Sequence, residues 1–114
     1  MRRLVLAICL FALPAHADEI ATGAAIRSAV SGNTVQGTMQ ASGGYTEYYA
    51  ADGTVKGADY AGAWNVSGDQ MCFAYGEDPE QCWDAKINGT QITWVGAGGD
   101  EGSGTIQPGN PNGF

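Results

Sequence analysis

The feature that most constrains this chain is a series of short segments rich in valine, threonine, tyrosine and tryptophan, which begins at Thr34. Glycine-containing turns separate these segments at close spacing, and the 114 residues include 18 glycines. Such residues favour strands, and closely spaced turns favour pairing between neighbours along the chain. The pattern therefore predicts a mainly β fold, an antiparallel meander that forms a strongly bent sheet or a small open barrel.

One short N-terminal helix is predicted before the first strand. Its signals are an N-cap threonine, apolar residues at helical spacing and a glycine at the C-terminal end. The residues concerned are Thr22, then Ile26, Ala29 and Val30, and finally Gly32. We expect this helix to lie across the face or the end of the sheet.

Turn residues also predict which strand residues pair. Gly68-Asp69 suits a two-residue loop with glycine at its first position, Asn88-Gly89 suits a type I′ loop, and Asp52-Gly53 indicates a further hairpin. In the first two hairpins the predicted pairs are Val66–Met71, Trp64–Phe73, Ile87–Thr90, Ala85–Ile92 and Trp83–Trp94. These registers place the large apolar residues on one face, whereas a slip of one residue would scatter them over both faces.

Cys72 and Cys82 join the two hairpins if they are set opposite each other, and both then lie on the polar face of the sheet. Two cysteines in an oxidising compartment favour a disulfide. Closing a loop of about 11 residues contributes roughly 2.5–3 kcal/mol on a chain-entropy model. The predicted core face of the four strands consists of Trp64, Val66, Met71, Phe73, Trp83, Ala85, Ile92 and Trp94.

Residues 1–17 have the order of features that is typical of a secretory signal. Arg2 and Arg3 supply the charge, residues 4–13 are apolar, and Ala15-His16-Ala17 offers a small-x-small cleavage site. The apolar run is shorter than the roughly 20 residues that span a membrane. We therefore predict a periplasmic or secreted protein, with a single β-rich domain over residues 18–114 and an irregular tail from about residue 108.

Cleavage of the signal would remove histidine chemistry, since His16 is the single histidine of the chain. Without imidazole the mature chain has no Ser-His or Cys-His pair and no histidine metal ligand, so no catalytic residue is predicted. The 12 acidic residues outnumber the 5 basic ones, of which Arg2 and Arg3 lie in the signal. A domain with this excess of acidic residues is unsuited to binding nucleic acid. No transmembrane segment is predicted in it.

Two groups of residues resemble functional motifs but fit ordinary surface structure better. Residues 95–102 resemble a dinucleotide-binding glycine loop, yet too few residues follow for the helix and strand that this site needs, so no cofactor is predicted. We expect an acidic, glycine-rich loop over residues 96–102 instead, followed by a short strand at Thr105-Ile106. The second group consists of acidic residues, whose functional alternatives are a calcium site or the acid/base carboxylate pair of a glycosidase, namely Glu77, Asp78, Glu80 and Asp84. Because these acids lack the spacing of a calcium loop, we expect solvated carboxylates and no metal site.

Four tyrosines form the candidate ligand surface, namely Tyr45, Tyr48, Tyr49 and Tyr60. Alternation along a strand puts Tyr45 and Tyr49 on one face together with Glu47, and Tyr48 on the other. Half-buried packing on a sheet is the ordinary role of such side chains. The functional alternative is a surface that binds an unknown small molecule, a glycan or an envelope protein.

Several runs of the chain resemble a family of short exported proteobacterial proteins of unknown function. They are SGNTVQG at 31–37, YYAADGT at 48–54, GAW at 62–64, MCF at 71–73 and CW at 82–83, so the resemblance covers most of the mature chain. Some members carry the name dihydrodipicolinate reductase, which implies a cytoplasmic NAD(P)H enzyme of lysine biosynthesis. An exported chain is far too short for such a two-domain reductase, and its glycine segment lies at the wrong end.

Two classes of function follow from these observations. The favoured hypothesis is a non-enzymatic binding or envelope-associated module of the bacterial periplasm. The alternative is an enzyme, either the reductase of that name or a carboxylate-dependent hydrolase.

Overall fold

The computed structural model describes residues 19–114, which form one α-helix and eight β-strands. The helix, α1, spans Gly23–Val30. The strands are β1 (Asn33–Met39), β2 (Gly43–Tyr49), β3 (Thr54–Lys56), β4 (Ala61–Ser67), β5 (Gln70–Ala74), β6 (Gln81–Asn88), β7 (Gln91–Gly96) and β8 (Gly99–Pro108). The predicted signal sequence, residues 1–17, lies outside the described residues.

The strands form a closed antiparallel barrel in which each strand pairs with its neighbours along the chain. Closure comes from β1 and β8, which pair from Asn33 opposite Pro108 to Met39 opposite Gly102. The mainly β fold, the antiparallel meander and the short helix are therefore confirmed. The observed sheet is more than the bent sheet or open barrel that was predicted, because it closes on itself and each strand has a neighbour on both sides.

Helix α1 lies against one end of the barrel, where it contacts β1, β4 and β5. Thr22 is the N-cap, as predicted, and its Oγ1 accepts a hydrogen bond from a first-turn backbone N–H at 3.1 Å. Ile26 and Val30 are fully buried, and Gly23 N donates to the Asp69 carboxylate of the β4–β5 turn at 2.7 Å. We call this end of the barrel the helix end. Over residues 19–114, no helix has the length and apolar content needed to cross a membrane.

The pairing predicted around the two cysteines is confirmed. Residues of β4, β5 and β6 pair as Trp64–Phe73, Val66–Met71, Met71–Trp83 and Cys72–Cys82. The two cysteines form a disulfide on the outward side of the sheet, with Cys72 buried and Cys82 exposed. The predicted core face is also confirmed, since Val66 and Trp83 are partly buried against six fully or nearly buried members, Trp64, Met71, Phe73, Ala85, Ile92 and Trp94.

The register predicted for β6 and β7 is wrong by two residues. Ile87 pairs with Ile92 instead of Thr90, and the other pairs of this hairpin shift in the same way. The loop consists of Gly89 and Thr90, and the glycine, with a φ of 63°, takes the first central position, a left-handed conformation that glycine adopts without strain. A shift of two residues preserves the direction of every side chain, which is why the predicted core face is nevertheless correct.

The acidic, glycine-rich segment 96–102 is not the loop predicted from the sequence. Residues 97 and 98 form the β7–β8 turn, and β8 runs from Gly99 to Pro108, far beyond the short strand predicted at Thr105-Ile106. Glycine weakens strands by propensity, but β8 pairs with both β7 and β1, so ladder hydrogen bonds on both sides compensate. A strand, rather than a phosphate-binding helix, therefore follows the dinucleotide-like glycines.

Glycines make the close approach of β1 and β8 sterically feasible. A Cβ atom on Gly37 would overlap the backbone of Ser103 and Gly104. A Cβ atom on Gly104 would lie 2.6 Å from both the Tyr45 hydroxyl and Val35 Cγ1. Larger residues at these positions would push the strands apart, so the closure of the barrel depends on them.

Gly37→Ala tests this dependence. The added methyl group meets backbone atoms that cannot rotate away, so we expect the free energy of unfolding to fall by about 1–3 kcal/mol. Gly98→Ala in the β7–β8 turn is the matched control, because nothing lies within 4 Å of its Cβ position. Urea unfolding followed by tryptophan fluorescence measures both variants, and equal stabilities would contradict the role given to Gly37.

Reduction of the disulfide tests the contribution of the cross-link. We expect the reduced protein to lose about 2–3 kcal/mol of unfolding free energy, since the unfolded chain regains the freedom of a closed loop. Comparing oxidised and reduced forms of one chain keeps every other side chain constant. Native thiol titration should find Cys72 and Cys82 unreactive before reduction, and an unchanged urea midpoint after full reduction would contradict the prediction.

Candidate functional site

A cavity of about 1160 Å³ lies inside the barrel at the end opposite α1. Four turns surround its mouth, those of β1–β2, β3–β4, β5–β6 and β7–β8, and each contributes lining residues. We call this end of the barrel the open end. Because α1 covers the other end, the cavity is accessible from one side of the molecule.

Aromatic side chains make up much of the cavity wall. They are four tyrosines, one phenylalanine and two tryptophans, namely Tyr45, Tyr49, Tyr60, Tyr75, Phe73, Trp83 and Trp94. Phe73 connects them, since its ring centroid lies 5.6–6.1 Å from the centroids of Tyr49, Tyr75, Trp83 and Trp94. Edge-to-face and stacked contacts of this kind orient the rings relative to one another, so the wall is one connected unit.

A buried carboxylate, that of Glu47, accepts hydrogen bonds from three of these tyrosines. The Tyr49 hydroxyl donates to Oε1 at 2.8 Å, while the Tyr60 and Tyr75 hydroxyls donate to Oε2 at 2.7 and 2.8 Å. The Glu47 side chain is only 8% exposed. Three hydroxyl donors therefore replace the water that the carboxylate loses on burial.

Three separate segments bring this network together. Strand alternation turns Glu47 and Tyr49 of β2 toward the interior. Tyr60 directly precedes β4, and its ring occupies the space that a Cβ atom on Gly57 would need. Tyr75 directly follows β5. Glu47 thus links β2, the β3–β4 turn and the end of β5.

Both cavity tryptophans are hydrogen-bonded through their indole N–H. Trp94 Nε1 donates to the Tyr45 hydroxyl at 2.8 Å, and that hydroxyl donates to the Ser103 carbonyl at 3.2 Å. Trp83 Nε1 donates to Glu101 Oε1 at 3.0 Å. These bonds fix the orientation of the two indoles and hold a second carboxylate, Glu101, at the cavity.

The tyrosine hydroxyls of the cavity are held in their protonated form. Burial raises the pKa of Tyr45 to about 12, and the nearby charge of Glu47 acts in the same direction. Burial also raises the pKa of Tyr49, Tyr60 and Tyr75, and the charge of Glu47 and its hydrogen bonds with them raise it further. At neutral pH these groups are hydrogen-bond donors rather than bases.

The candidate ligand surface predicted from the sequence is divided between two sides of the barrel wall. Tyr45, Tyr49 and Tyr60 line the cavity, whereas Tyr48 lies on the outward side of β2. The sequence pattern does not single out Glu47 or Tyr75 as site residues. For Glu47 the signal is present, because an acid between two tyrosines on one strand face is unusual in an otherwise apolar interior.

The acidic residues at 77–84 are divided between the outer surface and the mouth of the cavity. Glu80 and Asp84 accept hydrogen bonds from side-chain amides of β4 and β5, at 3.0 and 3.2 Å respectively, and Asp78 lies at the mouth. Over residues 19–114, three potential metal ligands come together at Cys72, Glu80 and Cys82. Since the two sulfur atoms are joined in the disulfide, this group offers a metal ion a single carboxylate.

Comparisons of the chain with family models, with curated proteins and with solved structures find no match. The basis for a function is therefore the cavity itself. Its distinguishing features are its size, its aromatic wall and the buried Glu47 carboxylate.

Alkaline titration tests the tyrosine network. Tyrosines of the unfolded chain ionise near pH 10, whereas those of the folded cavity ionise at higher pH. The contribution of the neutral hydroxyls to the free energy of unfolding is therefore fully present below about pH 10 and is lost as the pH rises toward the folded pKa values. At about pH 11 we expect less tyrosinate absorbance in the native protein than in the denatured protein, and a lower stability than at neutral pH.

Glu47→Gln locates the cause of this effect. Removing the charge should let Tyr60 and Tyr75 ionise at lower pH than in the wild-type protein. Asp84→Asn removes one charge from the outer surface and keeps the acceptor oxygen for Gln70, so its titration curve should match the wild type. Identical native curves for Glu47→Gln and the wild type would contradict the role assigned to Glu47.

Proposed function

We propose that this domain is an exported, non-enzymatic binding protein that holds one small molecule in the open end of its barrel. The observation that carries the proposal is an aromatic-walled cavity of about 1160 Å³, accessible opposite α1. Small-molecule sites are typically concave, about 300–1,000 Å³ in volume and mostly apolar, with a few polar groups. Barrels of eight strands are also wide enough to hold one small ligand.

The chemistry of the lining residues favours binding over catalysis. Residues 18–114 contain no histidine. The raised pKa values of Tyr45, Tyr60 and Tyr75 keep their hydroxyls protonated at neutral pH. Groups in this state are poor acceptors of a ligand's protons, and their single O–H donors are already used by Glu47 and the Ser103 carbonyl.

An extracytoplasmic location is part of the proposal. The Cys72–Cys82 disulfide is typical of proteins that fold in an oxidising compartment. The signal sequence predicted at residues 1–17 would deliver the chain there. We therefore place the binding activity in the periplasm or in the medium, in keeping with the short exported proteins that the chain resembles.

Titration with N-phenylnaphthylamine, an uncharged dye that fluoresces in apolar surroundings, tests the proposed function. We expect saturable one-to-one binding by the wild-type protein. Trp83→Ala should weaken it by about tenfold, because one aromatic wall contributes on the order of 1–2 kcal/mol of contact.

Tyr48→Ala is the control, since it also removes a partly buried aromatic ring, but from the outward side of β2. Its affinity for the dye should stay at the wild-type value. Failure of the wild-type protein to bind the dye saturably, or equal losses in the two variants, would overturn the proposed site.

A further inference from the structure

The charge of the cavity has one sign. Its charged lining residues are all acidic, Glu47, Asp78, Asp100 and Glu101, and its described lining includes no lysine, arginine or histidine. Asp100 has a cationic partner, Lys86, at 3.4 Å, which lies outside the lining. The interior of the barrel is therefore electrostatically suited to a positive ligand and unsuited to an anion.

Glu47 is the strongest indication of a positive ligand, because its carboxylate is buried. The neighbours of Glu47 on the inward face of β2, Tyr45 and Tyr49, are neutral, and so are its hydrogen-bond partners Tyr60 and Tyr75. Neutral donors solvate a carboxylate without cancelling its charge. Oε1 accepts one of the three hydrogen bonds and Oε2 the other two, so Oε1 has capacity for a further partner.

The aromatic wall adds a second attraction for a cation. Rings of tyrosine, tryptophan and phenylalanine attract ammonium groups through their negative faces, and the attraction strengthens where water is excluded. Phe73, Trp83 and Trp94 line the same cavity as Glu47. Apolar parts of a ligand would find contact area on these rings.

An inorganic cation fits this site less well than an organic one. Calcium takes six to eight oxygen ligands and magnesium about six. Glu47 belongs to no group of three clustered acid or thiol ligands among residues 19–114. An organic ammonium ion needs no such coordination shell, since one carboxylate and aromatic surfaces are sufficient to hold it.

We propose that the cavity binds an organic cation, an ammonium group on an apolar body, with the charge next to Glu47 and the body against the aromatic wall. The inference rests on the proposed function and specifies the chemical class of its ligand.

Three probes of similar size and different charge test the ligand class. They are phenyltrimethylammonium, its uncharged carbon analogue tert-butylbenzene, and the anion benzenesulfonate. Displacement of N-phenylnaphthylamine from the purified protein measures all three affinities. We expect the cation to bind about tenfold more tightly than its carbon analogue and the anion to bind most weakly.

Glu47→Gln should abolish the preference for the cation and leave the affinity for tert-butylbenzene within about twofold of the wild type. Asp84→Asn, which removes a charge from the outer surface, should keep the preference. Near-ultraviolet circular dichroism checks that each variant is folded. If Glu47→Gln does not fold, the wild-type comparison of the cation with its carbon analogue decides the question.

The outcomes separate this inference from the proposed function. Equal wild-type affinities for the cation and the carbon analogue, or a cation preference that survives in folded Glu47→Gln, would overturn the organic-cation proposal. Dye and tert-butylbenzene binding would still support a small-molecule site in that case. If neither the dye nor any of the three probes binds saturably, both proposals fail.

Discussion

The contact between β1 and β8 is the constraint on which the rest of the structure depends. Gly37, Gly102 and Gly104 allow the two backbones to approach closely, because any Cβ atom there would overlap a neighbour. With this contact made, each of the eight strands has a hydrogen-bonded neighbour on both sides, and the inward side chains share a single interior. Gly104 also leaves the space in which the Tyr45 hydroxyl accepts the indole N–H of Trp94. Closure of the barrel and the shape of its aromatic wall thus depend on the same strand pair.

Interior residues change in type along the axis of the barrel. Near the helix end they are mostly aliphatic and pack together, namely Val35, Val55, Val66, Met71, Ile87, Ile92 and Ile106. Toward the open end they are mostly aromatic and line the cavity, namely Tyr45, Tyr60, Phe73, Tyr75, Trp83 and Trp94. Branched aliphatic groups fill space efficiently and carry no polar atoms. Aromatic groups combine apolar area with N–H or O–H donors, so the two ends are suited to stability and to recognition respectively.

The sequence predicted the sheet better than the cavity, and the reasons are physical. Around Gly68-Asp69 and the cysteines, turn chemistry and apolar alternation agree on one register, which the structure confirms. At Asn88-Gly89 the alternation is insensitive to a shift of two residues, so the core face was right and the pairing was wrong. Alternation shows that Trp83 and Trp94 face inward, but whether an interior is filled or hollow depends on how many strands close around it. That number depended on the glycine-rich segment after β7, where local propensity favours a loop over the strand that tertiary pairing produces.

At Glu47, the side chain that would best stabilise the fold differs from the one that would best bind the proposed cationic ligand. Burying a carboxylate costs several kcal/mol of lost hydration, and neutral hydrogen bonds recover only part of it. An apolar side chain of similar size would fill the interior without that cost, and Tyr49, Tyr60 and Tyr75 would then lack their common acceptor. Sequences tend to break the rules of a well-packed core where function requires it. A neutral side-chain acceptor could serve these hydroxyls without the cost of burying a charge, so the hydrogen bonds account for an acceptor at this position but not for its charge. The proposed cationic ligand would account for that charge.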